Sequence, residues 1–479
     1  MRRGLVLNLI SNIMFFVSGY ALHYFLGNSM APAAYGIVGT ILTVLDFEYM
    51  FVSNGARQSL ASQISRHQYD AIDVIKKTVA FQCLVIACFF ALNFFGAPVF
   101  AYIFGDSSLA FYFKIAGLLV VVNGLQVILL GINDGLQRFG ISALLSTFYP
   151  IAKLGVIPLI IFVFRNDPVL GVEIGFILAV LATILIGCVL LAWNHVPLKR
   201  RLPARIPFSE VARHTLGFSF FFIMVSLVLS MDTLIVKAVV RPADMAGYYT
   251  GAMNFGKIAY YLLQAFSTVI LPVVAHLMGD GHTEEAVQRI RELLLLACAF
   301  ILPIAVVISA SGSSLLSVFY TDDFTVAAPA LSCLALSNFF MGMTVIVNMV
   351  LNSVKSSRFS DILSIASLVV AIPLFIVAAR FGGITAIAVA SVTCTGAVMI
   401  ASLVRAYQRF GCIITRRTWI VVMVNVALWV AVHIGCSYIH VENLVLLALL
   451  YGMIYVIYVA LLLGCRIVRI PKLGKGKLG

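Results

Sequence analysis

The chain is 479 residues long, 62% hydrophobic and only 11% charged, with a formal net charge of +13 and a mean hydropathy of +1.07. A water-soluble domain carries about a quarter charged residues, so that class is excluded. What remains is a chain built for a bilayer.

A span needs about 20 mostly apolar residues to cross a hydrocarbon core of about 30 Å. Within that core only a helix or a closed barrel satisfies its own backbone hydrogen bonds. The apolar runs here are too long for barrel strands. In chain order they predict fourteen helical spans, at 5–27, 34–56, 76–95, 109–132, 142–164, 170–192, 215–239, 246–277, 292–311, 326–350, 361–379, 383–404, 419–437 and 443–464.

The first run follows Arg2 and Arg3 as a signal peptide would, but it continues to Gly27 with no convincing small-residue cleavage site. It reads as an uncleaved helix. The connections then alternate in charge. Both termini and every second connection hold 25 of the 32 Lys and Arg residues, whereas the opposite connections hold only Lys114, Arg165, Arg241 and Arg380. Cytoplasmic loops retain basic residues, so both termini are expected inside and the number of spans is even. The positive charge is therefore a topology signal, with anionic lipid heads as its partner and nucleic acid not expected. Nine cysteines are present, and only Cys436 approaches the outer side. No Cys/His cluster has ligand spacing, so neither a disulfide framework nor a metal site is expected.

The longest polar stretch, residues 195–214, holds Lys199, Arg200, Arg201, Pro203, Arg205, Pro207 and Arg213. It divides the chain into an N-terminal lobe (1–194), a basic cytoplasmic linker (195–214), a C-terminal lobe (215–406) and two additional helices with a basic tail (407–479). The expected architecture is an all-α polytopic membrane protein with two six-helix lobes around a central cavity. The halves echo one another, PAAYGIVG at 32–39 against DMAGYYTG at 244–251. Repeated halves with a substrate site between them are a common transporter plan. Outer connections are short, which argues against a membrane-embedded glycan polymerase or ligase, since an enzyme would need a larger external platform.

One pattern misleads. Gly251 to Lys257 matches the phosphate-loop spacing but ends in Ile258 where a hydroxyl should hold Mg²⁺, and it lies inside an apolar span. Its glycines fit close helix packing instead.

Polar residues within spans fall into stripes at helical spacing. The eighth span gives Thr250, Asn254, Lys257, Tyr261, Gln264 and Thr268, and the seventh gives Ser219, Ser226, Ser230, Thr233 and Lys237. The fifth gives Ser142, Ser146, Tyr149 and Lys153. For isolated Ser, Thr or Asn, ordinary helix–helix hydrogen bonding suffices. A lysine near mid-span asks for more, because a charge there costs about 2.5–3.5 kcal/mol even on the lenient insertion scale. Lys153 and Lys257 are thus candidate cationic points for an anionic head group, together with Arg57 and with Lys237, which snorkelling towards the outer end explains equally well. Asn254, Tyr261, Gln264, Ser226 and Ser230 offer donors and acceptors to sugars. Asp46, Glu48 and Asp232 are candidates for ion coupling or for salt bridges between the lobes. At 100° per residue, Asp46, Ser53 and Arg57 share one face of the second span.

Several short segments carry a resemblance: Ala34-Tyr35-Gly36 opening the second helix, Ser53-Asn54-Gly55-Ala56-Arg57 closing it, Met231-Asp232-Thr233-Leu234-Ile235-Val236, Ala246-Gly247-Tyr248-Tyr249-Thr250-Gly251-Ala252, and Phe381-Gly382-Gly383-Ile384-Thr385-Ala386. Along nearly its whole length the chain resembles the polysaccharide transporter family, the O-antigen (Wzx-type) oligosaccharide flippases. These belong to the multidrug/oligosaccharidyl-lipid/polysaccharide exporter superfamily. The resemblance implies a two-lobed transporter of the bacterial plasma membrane that moves a polyprenyl-diphosphate-linked oligosaccharide outward, with no cofactor, a coupling proton or Na⁺, and glycan polymerases as partners. Carried over to this chain, the charged cavity residues are Asp232, Lys257, Lys153 and Arg57. Many multidrug exporters of the superfamily place a coupling Asp in the first helix. None stands there in this chain, which sets cation-coupled drug export second.

Overall fold

A computed structural model describes residues 2–65, 69–193, 205–265, 274, 277, 282–352, 357–438 and 441–467. Among the described residues the chain is helical throughout, with no strand. This follows from its apolar runs, whose backbone groups must be satisfied within each segment.

By its internal contacts the chain forms two compact units, Met1–Gly247 and Tyr248–Gly479. The first unit contains α1 (Arg2–Ser29), α2 (Pro32–Tyr49), α3 (Gly55–Ser65), α4 (Ala71–Phe104), α5 (Leu109–Gly135), α6 (Phe139–Lys153), α7 (Val156–Phe162), α8 (Pro168–Trp193) and α9 (Phe208–Val239). Helix α9 packs against α2, α3 and α4. The seventh expected helix therefore lies with the first unit, whereas the division at 195–214 grouped it with the second lobe. Residues 195–204 of that linker lie outside the described residues. Its end is anchored, because Ile206 is fully buried beside Leu60, Ile64, Val74 and Phe81.

α10 (Asp244–Gly256) leads from the first unit into the second, where α11 (Thr283–Phe300), α12 (Leu302–Ala310), α13 (Gly312–Phe319), α14 (Ala328–Asn352), α15 (Ser357–Phe410), α16 (Arg416–Tyr438) and α17 (Leu444–Gly464) follow. At 54 residues α15 would be about 80 Å long if straight, far beyond a bilayer core of about 30 Å. It is broken at Gly383, with φ 60° and ψ −147°, a conformation open essentially to glycine alone. The expected spans 361–379 and 383–404 are its two arms. The last two helices pack onto the second unit. Asn425 Nδ2 donates to Tyr458 Oη at 2.7 Å, and Tyr455 Oη donates to the Phe300 carbonyl at 3.0 Å.

Ten helices among the described residues are long and apolar enough to cross a membrane, and one of them is the broken α15. Large apolar side chains point outward from several, among them Phe95 on α4, Phe162 on α7 and Leu185 on α8, as lipid-facing surfaces require. The chain is a multi-pass membrane protein.

Candidate functional site

Lysine placement decides what the spans can bind. In the first unit the expected fifth span is not one helix. Pro150 lies inside α6, which ends at Lys153, and a turn through Leu154 and Gly155 precedes α7. Lys153 thus stands at the C-terminal end of a helix, where unsatisfied carbonyls favour a cation. Its Nζ lies 4.2 Å from the ring centroid of Phe176 on α8. The exposed Asp46 carboxylate of α2 attracts the same ammonium across a longer distance.

Lys257, in the second unit, has a different setting. α10 ends at Gly256 and helix continues from residue 258, with the Lys257 N–H donating to the Met253 carbonyl at 3.0 Å and its carbonyl accepting from the Tyr261 N–H at 3.1 Å, so the helical bonds carry through. Lys257 is half-buried, with Asn254, Tyr261 and Gln264 half-buried one turn before or one to two turns after it. Thr268 of that stripe lies outside the described residues. Among the described residues neither Lys153 nor Lys257 forms a salt bridge. Interrupted spanning helices are where membrane transporters place polar binding groups.

The glycines before Lys257 serve packing. A Cβ on Gly251 would lie 2.8 Å from Phe324, and one on Gly256 would lie 3.1 Å from Leu334.

Other candidates are engaged within the first unit. Arg57 Nε donates to Asp134 Oδ2 at 2.7 Å, and its Nη2 reaches Ser142 Oγ at 3.3 Å. Lys237 Nζ donates to Asp106 Oδ2 at 2.8 Å. Asp106 is held below the usual carboxylate range: burial pushes it up, but hydrogen bonds from Lys237 and Ser108 outweigh that. Glu48 is buried and receives Asn93 Nδ2 on both oxygens, at 2.7 and 2.8 Å, so its partner is in its own unit. Asp232 accepts from the Thr233 backbone N–H at 2.6 Å, and Ser226 and Ser230, on other faces of α9, are buried. The side chain of Ser219 lies outside the described residues.

The common face expected for Asp46, Ser53 and Arg57 is interrupted. A π turn over Met50–Asn54 separates α2 from α3, so rotation at 100° per residue does not carry across it. Gln82, fully buried, donates to the Val52 carbonyl of that turn at 2.7 Å. Sequence reasoning also passed over Glu173, the one charged residue in α8, although a lone acid in an apolar run is itself a signal. Two hollows of about 440 Å³ each lie in the second unit, lined by apolar side chains of α16 and its neighbours such as Leu428, Leu447 and Ile454 in one and Phe339, Met343 and Trp429 in the other. Their apolar walls do not suit a diphosphate or a sugar.

The sequence pattern of the polysaccharide biosynthesis protein family matches residues 29–329, more than half of the chain. The chain belongs to that family. No curated protein matches it by sequence. Its fold is similar to that of the lipid II flippase MurJ in an inward closed conformation, with a TM-score of 0.73 at 15% identity, covering 97% of this chain and 100% of that one. It is also similar to an inward-facing multidrug resistance MATE transporter of the MOP superfamily, with a TM-score of 0.66 at 12% identity, covering 85% and 98%. A MOP superfamily transporter from Pyrococcus furiosus, described as having a binding pocket of reverse polarity, gives a TM-score of 0.59 at 15% identity, covering 85% and 96%. This member of the polysaccharide biosynthesis family therefore has a MOP transporter fold.

Proposed function

We propose that the protein is a flippase of the bacterial plasma membrane that carries polyprenyl-diphosphate-linked oligosaccharides, such as O-antigen units, from the cytoplasmic to the outer leaflet. The observation that carries this reading is a pair of lysines with no carboxylate salt bridge among the described residues, Lys153 at the break between α6 and α7 and Lys257 just after α10, in a chain of the polysaccharide biosynthesis family. A diphosphate is the part of such a lipid that hydrocarbon rejects most strongly. An ammonium without a carboxylate salt bridge can replace part of its lost hydration. Asn254, Tyr261 and Gln264 stand beside Lys257 with donors and acceptors for sugar hydroxyls, and the prenyl tail stays in lipid. Alternating access would complete the cycle. Glycan polymerases acting at the outer leaflet are the expected partners.

Lys153→Ala and Lys257→Ala should each lower export of surface glycan while the protein stays in the membrane, and the double variant should nearly abolish it. Unchanged export in all three would overturn this assignment. The MATE-like fold favours a second reading, cation-coupled export of small amphipathic compounds. Drug hypersensitivity of a deletion strain with intact surface glycan would select that reading instead.

A further inference from the structure

Glu173 is the outlier of the first unit. It lies six residues into α8, is 4% exposed, and neither carboxyl oxygen has a hydrogen-bond partner among the described residues. On one face of α8, Gly171 and Gly175 let α7 approach closely: a Cβ on Gly171 would lie 2.9 Å from Ile160 and one on Gly175 2.5 Å from Val156. Glu173 points the other way. With Val172 and Phe176 it borders a void of about 10 Å³ whose far wall is Ile41 and Leu45 of α2 and Leu119 of α5. That space is close to the smallest that holds one water.

The groups around it are few. α2 presents only apolar side chains to the void, and α7 carries no titratable residue. From α5, Tyr112 Oη donates to Asp167 Oδ1 at 2.9 Å, just before α8 begins; Asp167 acts electrostatically on Glu173, and Glu173 on Tyr112. From α6, Lys153 stands on the ring of Phe176, one turn further along α8. A carboxylate here would have lost its hydration without gaining a donor, so this packing admits the neutral acid. A sodium ion would need several oxygen ligands, and the void supplies only one carboxyl.

We propose that Glu173 is a proton-binding site of the transport cycle. It holds its proton while α2, α5 and α8 are closed around the void. When that packing loosens and water enters, the O–H bond breaks and the proton passes to water by way of the Asp167–Tyr112 end of α8. The carboxylate must recover a proton from water before the void can close again. The proton is thus tied to one of two arrangements of the same helices, which is the requirement for coupling.

The proposal rests on the transporter reading, and its test separates the two. The full chain in proteoliposomes is treated with dicyclohexylcarbodiimide, which attacks protonated carboxyls in apolar surroundings, and adducts are located by peptide mass spectrometry. An adduct on Glu173 that declines as buffer becomes alkaline is expected. In parallel, flipping of a fluorescent polyprenyl-diphosphate disaccharide is followed with an imposed proton or sodium gradient. A proton gradient should accelerate wild type and Glu173→Asp several-fold and leave the rate of Glu173→Gln unaltered.

No adduct on Glu173 at any pH overturns the proposal. So does a Glu173→Gln protein that answers the proton gradient as wild type does, or a wild type driven by sodium alone. If no protein flips this lipid, the proposed substrate is wrong and the pH-dependent adduct alone decides the proton site.

Discussion

Lys237 near the end of α9 and Asp106 in the turn between α4 and α5 form an ion pair at 2.8 Å, with the lysine side chain 4% exposed and the aspartate 24% exposed. The asymmetry of burial makes the two halves unequal. Removing Lys237 leaves a carboxylate that water can reach, at a cost of about 0–1 kcal/mol. Removing Asp106 leaves an ammonium sealed in protein, at a cost towards about 3–5 kcal/mol. Asp106→Ala should therefore lower the unfolding temperature of the purified protein more than Lys237→Ala does. Equal shifts would mean that the pair is not what holds α9 there.

The same pair gives a pH dependence. Burial raises the Asp106 pKa, but the Lys237 and Ser108 hydrogen bonds lower it by more, so the folded value lies below that of an ordinary aspartate. A depressed folded value means that the contribution is complete above the unfolded value and disappears as pH falls through the folded one. The stability difference between wild type and Asp106→Asn should stay constant from neutral pH down to about pH 4, near the unfolded value, and narrow below it. A difference that grows on acidification would contradict this assignment.

Asn93 is the donor that makes Glu48 tolerable, since it spans both carboxyl oxygens of a residue that is 1% exposed. Asn93→Ala should destabilise the first unit by about 1–3 kcal/mol, the cost of stranding a buried polar group. Because the two residues act as a unit, Glu48→Ala with Asn93→Ala should cost less than the sum of the single changes. Thermal unfolding of the four proteins completes the cycle, and strict additivity would show that the pair is not coupled.

Much of this architecture was legible in the sequence because bilayer thickness imposes one length on every crossing. The apolar runs from 34 to 192 and from 292 to 464 all meet helices, and the Gly382-Gly383 pair sits at the break in α15. What escaped was local. The π turn at Met50–Asn54 adds backbone without changing composition, so the faces of Asp46 and Arg57 could not be related by counting. The break after Lys153 follows from Pro158, which has no N–H to give the Leu154 carbonyl, and from Gly155, both visible, but each is tolerated in unbroken spans. Ion-pair partners such as Asp134 and Asp106 are distant in sequence from Arg57 and Lys237, and only folding brings them together. The placement of α9 in the first unit is of the same kind, since a basic linker marks where the chain leaves the membrane and not which helices pack.

The end of that linker is clamped at two levels. Lys77 Nζ donates to the Ile206 carbonyl at 2.6 Å, the Ile206 N–H donates to Asp73 Oδ2 at 3.0 Å, and the Ile206 side chain is fully buried. Ile206→Ala should cost about 2–5 kcal/mol locally, the usual range for emptying such a site. Because Arg205 precedes it and is exposed, trypsin should cut there faster in the variant, read as accumulation of two membrane-bound fragments. An unchanged cleavage rate would mean that the clamp holds without this side chain.

The echoing segments PAAYGIVG and DMAGYYTG meet in the folded chain, and glycine is what allows it. A Cβ on Gly36 would lie 2.7 Å from the Gly247 backbone nitrogen and 3.0 Å from Ala246. Backbone cannot swing aside as a side-chain tip can, so Gly36→Ala should cost about 1–3 kcal/mol through overpacking. Gly140→Ala is the matched control, since nothing lies within 4 Å of its Cβ and the helix gains propensity. Melting curves should move down for the first and stay level or rise for the second. A Gly36→Ala protein as stable as wild type would show that α2 and the start of α10 can separate at no cost, and that their close approach is not a fixed joint of the first unit.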